Sequence, residues 1–337
     1  MDVGEPIVSE IRVISFGLGP IGSEVARVAA SKSNMRLVGA VDIDPSKVGR
    51  TVEEVTGAPS EVIVSSSLEE ALQNTEVDLI LHTTSSFLEV VKSQIESAIE
   101  KGLSVVSTCE ELSYPWRTYP GLATELDMKA KEANVRILGT GVNPGFVMDA
   151  FPLTVTTVCQ KVDRIHIERV VDAGGRRLQL QRKVGAGLTV EEFRQLVATG
   201  NVRHVGLPES AWMIIDAMGW ECKDFEESIE PIVAEREILA AIGNIQPGQV
   251  AGVRQTIRAY GRDIEKLVLD LKMYVGADEP VDHIQIWGIP DLDLRFDGGV
   301  HGDRATASIV VNAASVLMNL PPGLRTMLDV MPLRFRS

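Results

Sequence analysis

The chain has 337 residues, a mass of 36.6 kDa and a formal net charge of −14 at pH 7. Its length favours two domains, and 45% apolar with 24% charged residues is the composition of a folded globular protein, which excludes a disordered one. So acidic a chain lacks the cationic surface that nucleic acid or anionic lipid requires. We therefore expect neither nucleic acid nor a membrane as a partner.

Cysteine usage and the start of the chain bear on the cellular compartment. Cys109, Cys159 and Cys222 are odd in number and far apart, which excludes a disulfide framework and a zinc knuckle. The acidic start lacks the basic and apolar regions of a signal peptide, and the sequence contains no run of about 18 apolar residues. These features predict a cytoplasmic protein without a metal site.

The first part of the chain alternates between short apolar runs and segments with helical spacing. Strands are predicted at 11–16, 35–42, 61–65, 77–83, 103–108 and 135–140, and helices from residue 21 and at 67–73, 88–101 and 121–134. Such alternation implies a parallel sheet covered on both faces, and right-handed crossovers then give a doubly wound Rossmann domain. We place this NAD(P)-binding domain at residues 1–147.

Beyond about residue 150, polar and apolar residues alternate at 161–171, 264–275 and 283–287, which predicts strands with one packed face. Helices are predicted from Thr189, where Glu192 completes a capping box, and at 209–218 and 304–320. We expect a second α/β domain at 148–304, with an open, mostly antiparallel sheet, for substrate binding and dimerisation. Residues 305–337 are expected to pack back on the first domain.

A glycine-rich turn lies between the first predicted strand and helix: Gly17-Leu18-Gly19-Pro20-Ile21-Gly22. In such a turn the first glycine permits the sharp bend, the second lets a pyrophosphate approach the backbone, and the third lets helix and strand pack closely. The start of the helix offers N–H groups and a partial positive charge to the phosphates. The motif predicts that these six residues contact a dinucleotide.

Asp42 ends the second predicted strand. A carboxylate at this position accepts hydrogen bonds from the adenosine ribose hydroxyls and repels a 2′-phosphate, so NAD is the preferred cofactor. Lys47 and Arg50 are close enough in sequence to leave NADP as an alternative.

Polar residues that follow the later strands complete the predicted cofactor site, because ligands of open α/β sheets bind outside the carboxyl ends of the strands. These residues are Thr83, Thr84, Ser85, Cys109 and Asn143, with Asn312 of the last long helix as a further contact. Helix packing is the alternative role for Asn312, and an interdomain hinge is the alternative for the loop of Asn143. His82 lies inside a strand, so we expect a packed, hydrogen-bonded histidine.

Two glutamates, Glu110 and Glu111, follow the fifth predicted strand, at the mouth of the cofactor crevice. Burial against apolar walls and a nicotinamide ring would raise a carboxyl pKa toward neutrality, where the group can transfer protons. Consecutive residues of an extended segment point in opposite directions, so we expect one to face the site and choose Glu110 as catalytic, with Glu111 second. The alternative is that both cap the next turn.

Five segments carry a family resemblance: Ser107-Thr108-Cys109-Glu110-Glu111-Leu112-Ser113-Tyr114-Pro115, Gly139-Thr140-Gly141-Val142-Asn143-Pro144-Gly145, and the shorter stretches 188–193, 204–206 and 322–327. They resemble the 2,4-diaminopentanoate dehydrogenase family, which also contains amine dehydrogenases that reductively aminate carbonyl compounds with ammonia. The resemblance implies the fold of dihydrodipicolinate reductase and a homodimer. The reductase's own motif, His-His followed by Lys and Pro-Ser-Gly-Thr, is absent from this sequence.

The resemblance also implies roles for individual residues. Glu110 matches a family glutamate that handles the amine, while Arg169 and His204 match polar substrate positions. Where the diaminopentanoate enzymes carry Arg-Val-Asn, this chain has Arg169-Val170-Val171, so a carboxylate loses one donor. Val171 and Phe146 make the pocket more apolar. For Arg169 the alternative is a cross-strand ion pair with Glu168 or a neighbour.

These departures favour an amine dehydrogenase that acts with ammonia on small ketones or aldehydes. Three alternatives remain. The first is a 2,4-diaminopentanoate dehydrogenase that acts on a diamino acid. The second is a reductase of a preformed cyclic imine. The third is a dinucleotide-binding protein without catalytic activity.

Overall fold

The computed structural model describes residues 10–175, 178–262 and 264–331. The chain divides into two compact units: one runs up to Phe146 and resumes at His301, and the other is Val147–Val300. The boundaries predicted after residues 147 and 304 differ from these by one and four residues. The assignment of the second unit to substrate binding and dimerisation stays a prediction, and residues 1–9 and 332–337 lie outside the described part.

The strands of the described residues are β1 (Ile11–Phe16), β2 (Met35–Val41), β3 (Val64–Ser65), β4 (Leu79–His82), β5 (Ser104–Ser107), β6 (Arg136–Gly139), β7 (Lys161–Asp172), β8 (Asp224–Val233), β9 (Ile238–Ala240), β10 (Gly243–Ile245), β11 (Val250–Gly261), β12 (Ile264–Tyr274), β13 (Val281–Ile289), β14 (Leu292–Asp297) and β15 (Gly323–Arg325). The α-helices are α1 (Pro20–Ala30), α2 (Val52–Thr56), α3 (Leu68–Ala71), α4 (Leu88–Glu100), α5 (Pro115–Thr118), α6 (Pro120–Glu132), α7 (Ala150–Val155), α8 (Leu178–Lys183), α9 (Val190–Ala198), α10 (Leu207–Ala217), α11 (Gly302–Leu317) and α12 (Met327–Val330). Short 3₁₀ turns occur at Glu110–Leu112 and Thr156–Val158.

In the described part of the first unit, seven strands form one sheet in the order β15-β6-β5-β4-β1-β2-β3, and every neighbouring pair is parallel. All residues of β4 and β5 are buried, as expected for strands that are covered on both faces. Helix α11 packs against α1, and Asn34 Nδ2 donates to Ser315 Oγ at 3.1 Å. The predicted doubly wound domain is confirmed.

The second unit is built on a six-stranded sheet, counted over the residues described, in the order β14-β13-β7-β12-β11-β8. The pair β7–β12 is parallel and the other four neighbouring pairs are antiparallel. Along β7, Ile165 and Ile167 are buried while His166 and Glu168 are half-buried, which matches the predicted alternation. This open, mostly antiparallel sheet confirms the second half of the predicted fold class.

Helix α9 begins at the predicted capping box. Thr189 Oγ1 accepts the Glu192 N–H at 3.2 Å, and Glu192 Oε2 accepts the Thr189 N–H at 2.8 Å. Helix α10 lies against the sheet, where the Trp212 ring stacks on Phe225 of β8 with a centroid distance of 4.7 Å. An aromatic contact of this kind fixes the helix on the edge strand.

Candidate functional site

The glycine turn connects β1 to α1, and its three glycines differ in what surrounds them. Gly17 has a φ of +91°, and a Cβ built there would lie 2.9 Å from the Thr83 carbonyl oxygen. At Gly22 a Cβ would lie 1.8 Å from the Gly17 carbonyl oxygen, so the turn, helix and strand meet without room for a side chain. At Gly19 a Cβ would meet no described atom within 4 Å, so the chain's own packing does not require a glycine there. An open glycine fits close approach by a phosphate.

The other residues of the turn have different exposures. Leu18 is buried, Ile21 is half-buried and Pro20 is exposed at the first position of α1. Helix α1 has no side-chain cap and no acidic residue in its first turn. The start of the helix therefore carries no protein anion that would compete with a phosphate.

Asp42 is buried directly after β2. Its Oδ2 accepts the Leu18 N–H at 2.7 Å and the Lys47 ammonium at 2.9 Å, and its Oδ1 accepts the Asp44 N–H at 2.9 Å. Burial alone would raise the pKa of Asp42, but these three hydrogen bonds lower it below its usual range. Asp42 is thus an anion at neutral pH that ties the glycine turn to the end of β2.

Three predicted hydroxyl residues lie at the carboxyl end of β4. Thr83 Oγ1 donates to the Gly17 carbonyl oxygen at 2.6 Å, and Thr84 Oγ1 donates to Gln94 Oε1 at 2.7 Å. Ser85 Oγ accepts the Phe87 N–H at 3.3 Å. Each hydroxyl is engaged within the first unit, and their contact with a cofactor stays a prediction.

His82 is buried at the end of β4, and both of its ring nitrogens have partners. Nδ1 lies 2.8 Å from Ser107 Oγ, and Nε2 lies 2.7 Å from Gln94 Oε1. Burial lowers the pKa of His82 to about 4, so the ring is neutral at physiological pH. Ser107 Oγ also accepts the Cys109 N–H at 3.0 Å, which ties His82 to the segment before Glu110. This packed, hydrogen-bonded histidine is the one expected from the sequence.

Glu111 is 4% exposed, and its carboxylate is committed to the fold. Oε2 accepts the N–H of Leu88, the first residue of α4, at 2.7 Å, and Oε1 accepts the Tyr119 hydroxyl at 2.9 Å. An anion at the N-terminus of a helix is stabilised by the free N–H groups and the helix dipole. Glu111 therefore binds the start of α4, which precedes it in the chain, whereas the alternative from the sequence was a cap on the turn that follows.

Glu110 is half-buried and begins a 3₁₀ turn at the carboxyl end of β5. The premise of an extended segment was wrong, because Glu110–Leu112 is a turn; the two side chains differ in environment through the turn and not through strand alternation. The turn rests on β6, where a Cβ at Gly139 would lie 2.4 Å from the Leu112 carbonyl carbon. Of the two carboxylates, that of Glu110 is the one on a partly accessible residue.

Cys109 is fully buried, and its Sγ donates to the Ser86 carbonyl oxygen at 3.3 Å. Burial raises the pKa of the thiol far above its usual range, so it is not a nucleophile. This conformation leaves Cys109 no surface for a ligand, which speaks against the predicted cofactor contact.

The buried polar atoms of the first unit that have no hydrogen-bond partner among the described residues include Thr140 Oγ1 and Asn312 Oδ1. A buried acceptor without a donor is costly, which favours a ligand or a water at these atoms. Asn312 was predicted to contact the cofactor, whereas sequence reasoning missed Thr140, although it lies in the glycine-rich loop after β6. Asn143 in the same loop is 7% exposed.

In the second unit, Arg169 forms a buried ion pair with Asp282, its cross-strand partner on β13. Arg169 Nη2 also donates to the Val300 carbonyl oxygen at 2.8 Å, and Asp282 Oδ2 accepts the Val300 N–H at 2.7 Å. The cross-strand pair was the alternative from the sequence, but its partner is Asp282, because Glu168 binds Lys272 instead. A role for Arg169 in substrate binding stays a prediction that this geometry weakens.

His204 lies on a loop that the Gln255 side chain binds. Gln255 Oε1 accepts the His204 N–H at 2.7 Å, and Gln255 Nε2 donates to the His204 carbonyl oxygen at 3.1 Å. Burial, with Lys183 and Arg169 nearby, lowers the pKa of His204 to about 3, so its ring is neutral. Its Nδ1 has no hydrogen-bond partner among the residues described. Val171, two residues after Arg169 on β7, is half-buried. Phe146 is also half-buried, but it belongs to the first unit, as the last residue before the chain enters the second.

No described helix combines the length and the apolarity needed to cross a membrane. No group of three or more His, Cys, Asp or Glu side chains in the described ranges could hold a metal ion.

Comparisons with known proteins match both units. The family model for the 2,4-diaminopentanoate dehydrogenase C-terminal domain matches residues 146–334, and that for the dihydrodipicolinate reductase N-terminus matches residues 11–109. The chain is 31% identical to 2,4-diaminopentanoate dehydrogenase of Acetoanaerobium sticklandii over 332 residues, which is 96% of this chain and 94% of that protein.

Solved structures extend the comparison. An amine dehydrogenase from Mycobacterium smegmatis aligns with a TM-score of 0.84 at 26% identity, covering 97% of this chain and 98% of that one. GenD2 from gentamicin A biosynthesis, solved with NAD, aligns with a TM-score of 0.57 at 16% identity, covering 98% and 93%. At that identity GenD2 shares the fold alone.

Proposed function

This chain belongs to the 2,4-diaminopentanoate dehydrogenase family, and from that membership we propose that it is an amine dehydrogenase that reductively aminates small ketones or aldehydes with ammonia. It is an oxidoreductase of CH–NH₂ donors that uses a nicotinamide dinucleotide. The reaction conserves atoms and electrons as R₂C=O + NH₃ + NAD(P)H + H⁺ ⇌ R₂CH–NH₂ + NAD(P)⁺ + H₂O. The observation that carries the proposal is the position of Glu110, a half-buried residue at the carboxyl end of β5, in the same parallel sheet whose strand β1 leads into the glycine turn.

The residues of the first unit fit a dinucleotide. The open position at Gly19 and the uncapped start of α1 suit the pyrophosphate, and Asp42 suits the adenosine ribose. The enclosed oxygens of Thr140 and Asn312 suit a ligand that brings hydrogen-bond donors. When bound, the nicotinamide supplies the hydride. Asp42 supports NAD as the preferred form.

Glu110 is the group that we propose for proton transfer. Ammonia attacks the carbonyl carbon only as the free base, so a carboxylate that accepts a proton from ammonium makes it available. The same carboxyl group then returns a proton to the hydroxyl that leaves as water. As an anion it stabilises the iminium cation that receives the hydride. Glu111 is less suited, because its carboxylate is bound by the Leu88 N–H and the Tyr119 hydroxyl.

The substrate pocket of the second unit favours an uncharged carbonyl compound. Arg169 is 3% exposed, and its guanidinium is paired with the Asp282 carboxylate, so its charge is already compensated. Capture of a substrate carboxylate would need an uncompensated cation. The ring of His204 is neutral, and Val171 adds apolar surface. A diamino acid remains the second candidate because of the 31% identity to the A. sticklandii enzyme.

We further propose a homodimer in the cytoplasm. The six-stranded sheet carries half-buried residues such as His166, Glu168 and Val170 on one face, which suits contact with a second copy. Cys109, Cys159 and Cys222 form no disulfide within the described ranges, which suits a reducing compartment. Light scattering is expected to give about twice the 36.6 kDa of the chain, and a mass of one chain at micromolar concentration would contradict the dimer.

An activity panel tests the reaction. The protein is mixed with NADH or NADPH, ammonium and a series of small ketones and aldehydes at alkaline pH, and absorbance at the reduced nicotinamide band is followed. In the reverse direction, 2,4-diaminopentanoate and simple amines are offered with NAD⁺ or NADP⁺. We expect cofactor oxidation that requires ammonium and faster turnover of simple amines than of the diamino acid.

Each alternative has its own outcome in the panel. Faster turnover of the diamino acid would assign the second candidate. Oxidation with a cyclic imine but without ammonium would indicate an imine reductase. Tight binding of NADH without turnover of any carbonyl compound would leave a dinucleotide-binding protein.

A further inference from the structure

Lys47 lies in the turn that follows β2, five residues after Asp42. Its Nζ is 2.9 Å from Asp42 Oδ2 and 3.8 Å from Asp44 Oδ2, and its side chain is 24% exposed. The proposed reaction gives this ammonium no role. Lys47 lies beside Asp42, the carboxylate expected to bind the adenosine ribose, and this position bears on the choice between NAD and NADP.

The hydrogen bonds of Asp42 leave about one acceptor position for a ribose hydroxyl. A carboxylate has roughly four acceptor positions. The Leu18 N–H and the Lys47 ammonium occupy Oδ2, and the Asp44 N–H occupies one position on Oδ1. The two neighbouring ribose hydroxyls of NAD therefore do not both find an acceptor on Asp42 while Lys47 stays in place. With Lys47 in this position, its ammonium would be available as a donor to the second ribose oxygen.

An ammonium can donate to a 2′-hydroxyl or to a 2′-phosphate, and the hydrogen bond to the ionised phosphate is the stronger of the two. We propose that Lys47 sets how strongly this chain discriminates between NAD and NADP, by supplying the donor for the 2′ position of the adenosine ribose. The inference rests on the proposed dinucleotide site and names the residue that determines its specificity.

The charges around Lys47 fix the direction of the effect. Asp42 and Asp44 contribute two negative charges and Lys47 one positive charge within about 4 Å. Arg50 of the same turn is directed to Glu54, with 3.5 Å between its Nε and Glu54 Oε2, and its side chain is 52% exposed. Unlike the buried Arg169, Lys47 is 24% exposed, and its ammonium has three N–H donors, of which Asp42 takes one, so it can also donate to a 2′-phosphate. Without Lys47, two carboxylates would repel the phosphate.

The test measures the dissociation constants of NADH and NADPH by nicotinamide fluorescence, without any substrate. In Lys47→Gln, binding of NADPH is expected to weaken about 10- to 100-fold, the range of a charge-assisted hydrogen bond, and binding of NADH less than about 3-fold. Lys47→Arg is expected to retain NADPH binding. Asp44→Asn, which keeps a side-chain oxygen for the Ser46 N–H, is expected to tighten NADPH binding a few-fold.

Arg50→Gln is the matched control, because it removes a cation from the same turn that is directed elsewhere. It is expected to change neither constant by more than about 2-fold. Equal weakening of both nucleotides in Lys47→Gln would show that Lys47 merely holds Asp42 in place, and loss of NADPH binding in Arg50→Gln instead would assign the role to Arg50. Either result, or no effect at Lys47, overturns the inference.

Failure of the proposed reaction gives a different pattern. A protein that aminates no carbonyl compound but shows the Lys47 effect on NADPH would refute reductive amination and leave this inference standing. Melting temperatures of the variants, measured without nucleotide, identify any general loss of folding.

Discussion

Two neighbouring glutamates have opposite surroundings at the end of β5. Glu111 is buried and gives both carboxylate oxygens to the fold, to the Leu88 N–H and the Tyr119 hydroxyl. Glu110 is half-buried one position earlier in the same turn. We therefore expect the two side chains to have different functions, because a carboxylate with both oxygens bound by the fold is less free to transfer protons than one on a half-buried residue.

Substitution of each glutamate by glutamine separates these roles. In Glu110→Gln, kcat is expected to fall about 10²- to 10⁴-fold with unchanged binding of NADH, because the amide does not accept and return a proton. Glu111→Gln is the matched variant: it removes the charge at the start of α4 and is expected to cost about 1–3 kcal/mol of unfolding free energy. Steady-state kinetics and urea unfolding measure the two effects.

The opposite pattern would reverse the assignment. If Glu111→Gln abolished turnover at unchanged stability while Glu110→Gln remained active, Glu111 would be the proton-transfer group. The Leu88 N–H and the Tyr119 hydroxyl would then have to release its carboxylate during the reaction.

At the scale of elements, the Glu110 turn depends on the last residue of β6. A Cβ at Gly139 would lie 2.4 Å from the Leu112 carbonyl carbon and 2.6 Å from the Ser113 nitrogen. Both are backbone atoms, so a side chain at position 139 could be accommodated only if the backbone of the whole turn moved. The strand therefore needs glycine at a position where strand packing alone would favour a side chain.

Gly139→Ala is expected to displace the turn, lowering the unfolding free energy by about 1–3 kcal/mol and kcat at least 10-fold. Gly121→Ala is the control, because a Cβ there meets no described atom within 4 Å and alanine favours helix α6. The control is expected to keep full activity and to gain slightly in stability. Urea unfolding and kinetics of both variants decide, and an active, stable Gly139→Ala would show that the turn tolerates the shift.

The elements that could be predicted from the sequence are those with a clear period. Helix α9 was found from its capping box, and β4 and β5 from their apolar runs. Strand β11 was missed because buried Gln255 and Thr256 interrupt its apolar pattern. Strand β15 has three residues and forms only because β6 pairs with it.

The candidate site was predictable to a similar degree. The roles of Gly17 and Gly22 follow from the motif, since both are required by the chain's own packing. The turn at Glu110 and the partner of Arg169 did not follow, because both depend on contacts between residues far apart in sequence. Asp282 lies 113 residues from Arg169 and has no mark in the sequence that distinguishes it from other acids.

For the whole molecule, each unit contains a neutral histidine: His82, which is buried, and His204, which is half-buried. The pKa of His82 is lowered to about 4 and that of His204 to about 3, in both cases mainly by burial. The unfolded chain takes up protons on these residues below about pH 6.5, whereas the folded chain does not. Protonation therefore favours unfolding, and stability is lost as the pH falls from about 6.5 toward 4.

Between pH 7 and pH 5 each histidine is expected to account for about 2 kcal/mol of lost stability. Urea midpoints at the two pH values measure the loss. His82→Gln lacks a titrating ring, so its midpoint is expected to depend less on pH, whatever its stability at pH 7. An unchanged pH dependence in this variant would mean that His82 is protonated in the folded protein.

The first unit is discontinuous, since it takes α11 and β15 from the segment that begins at His301. A nascent chain leaving the ribosome therefore exposes the partner face of α1 and the edge of β6 until the last tenth of the sequence has been synthesised. Chains of this kind expose apolar surface during synthesis and are prone to aggregation. A fragment that stops at Phe146 would retain that hazard permanently, so the dinucleotide unit should be expressed with its C-terminal segment attached.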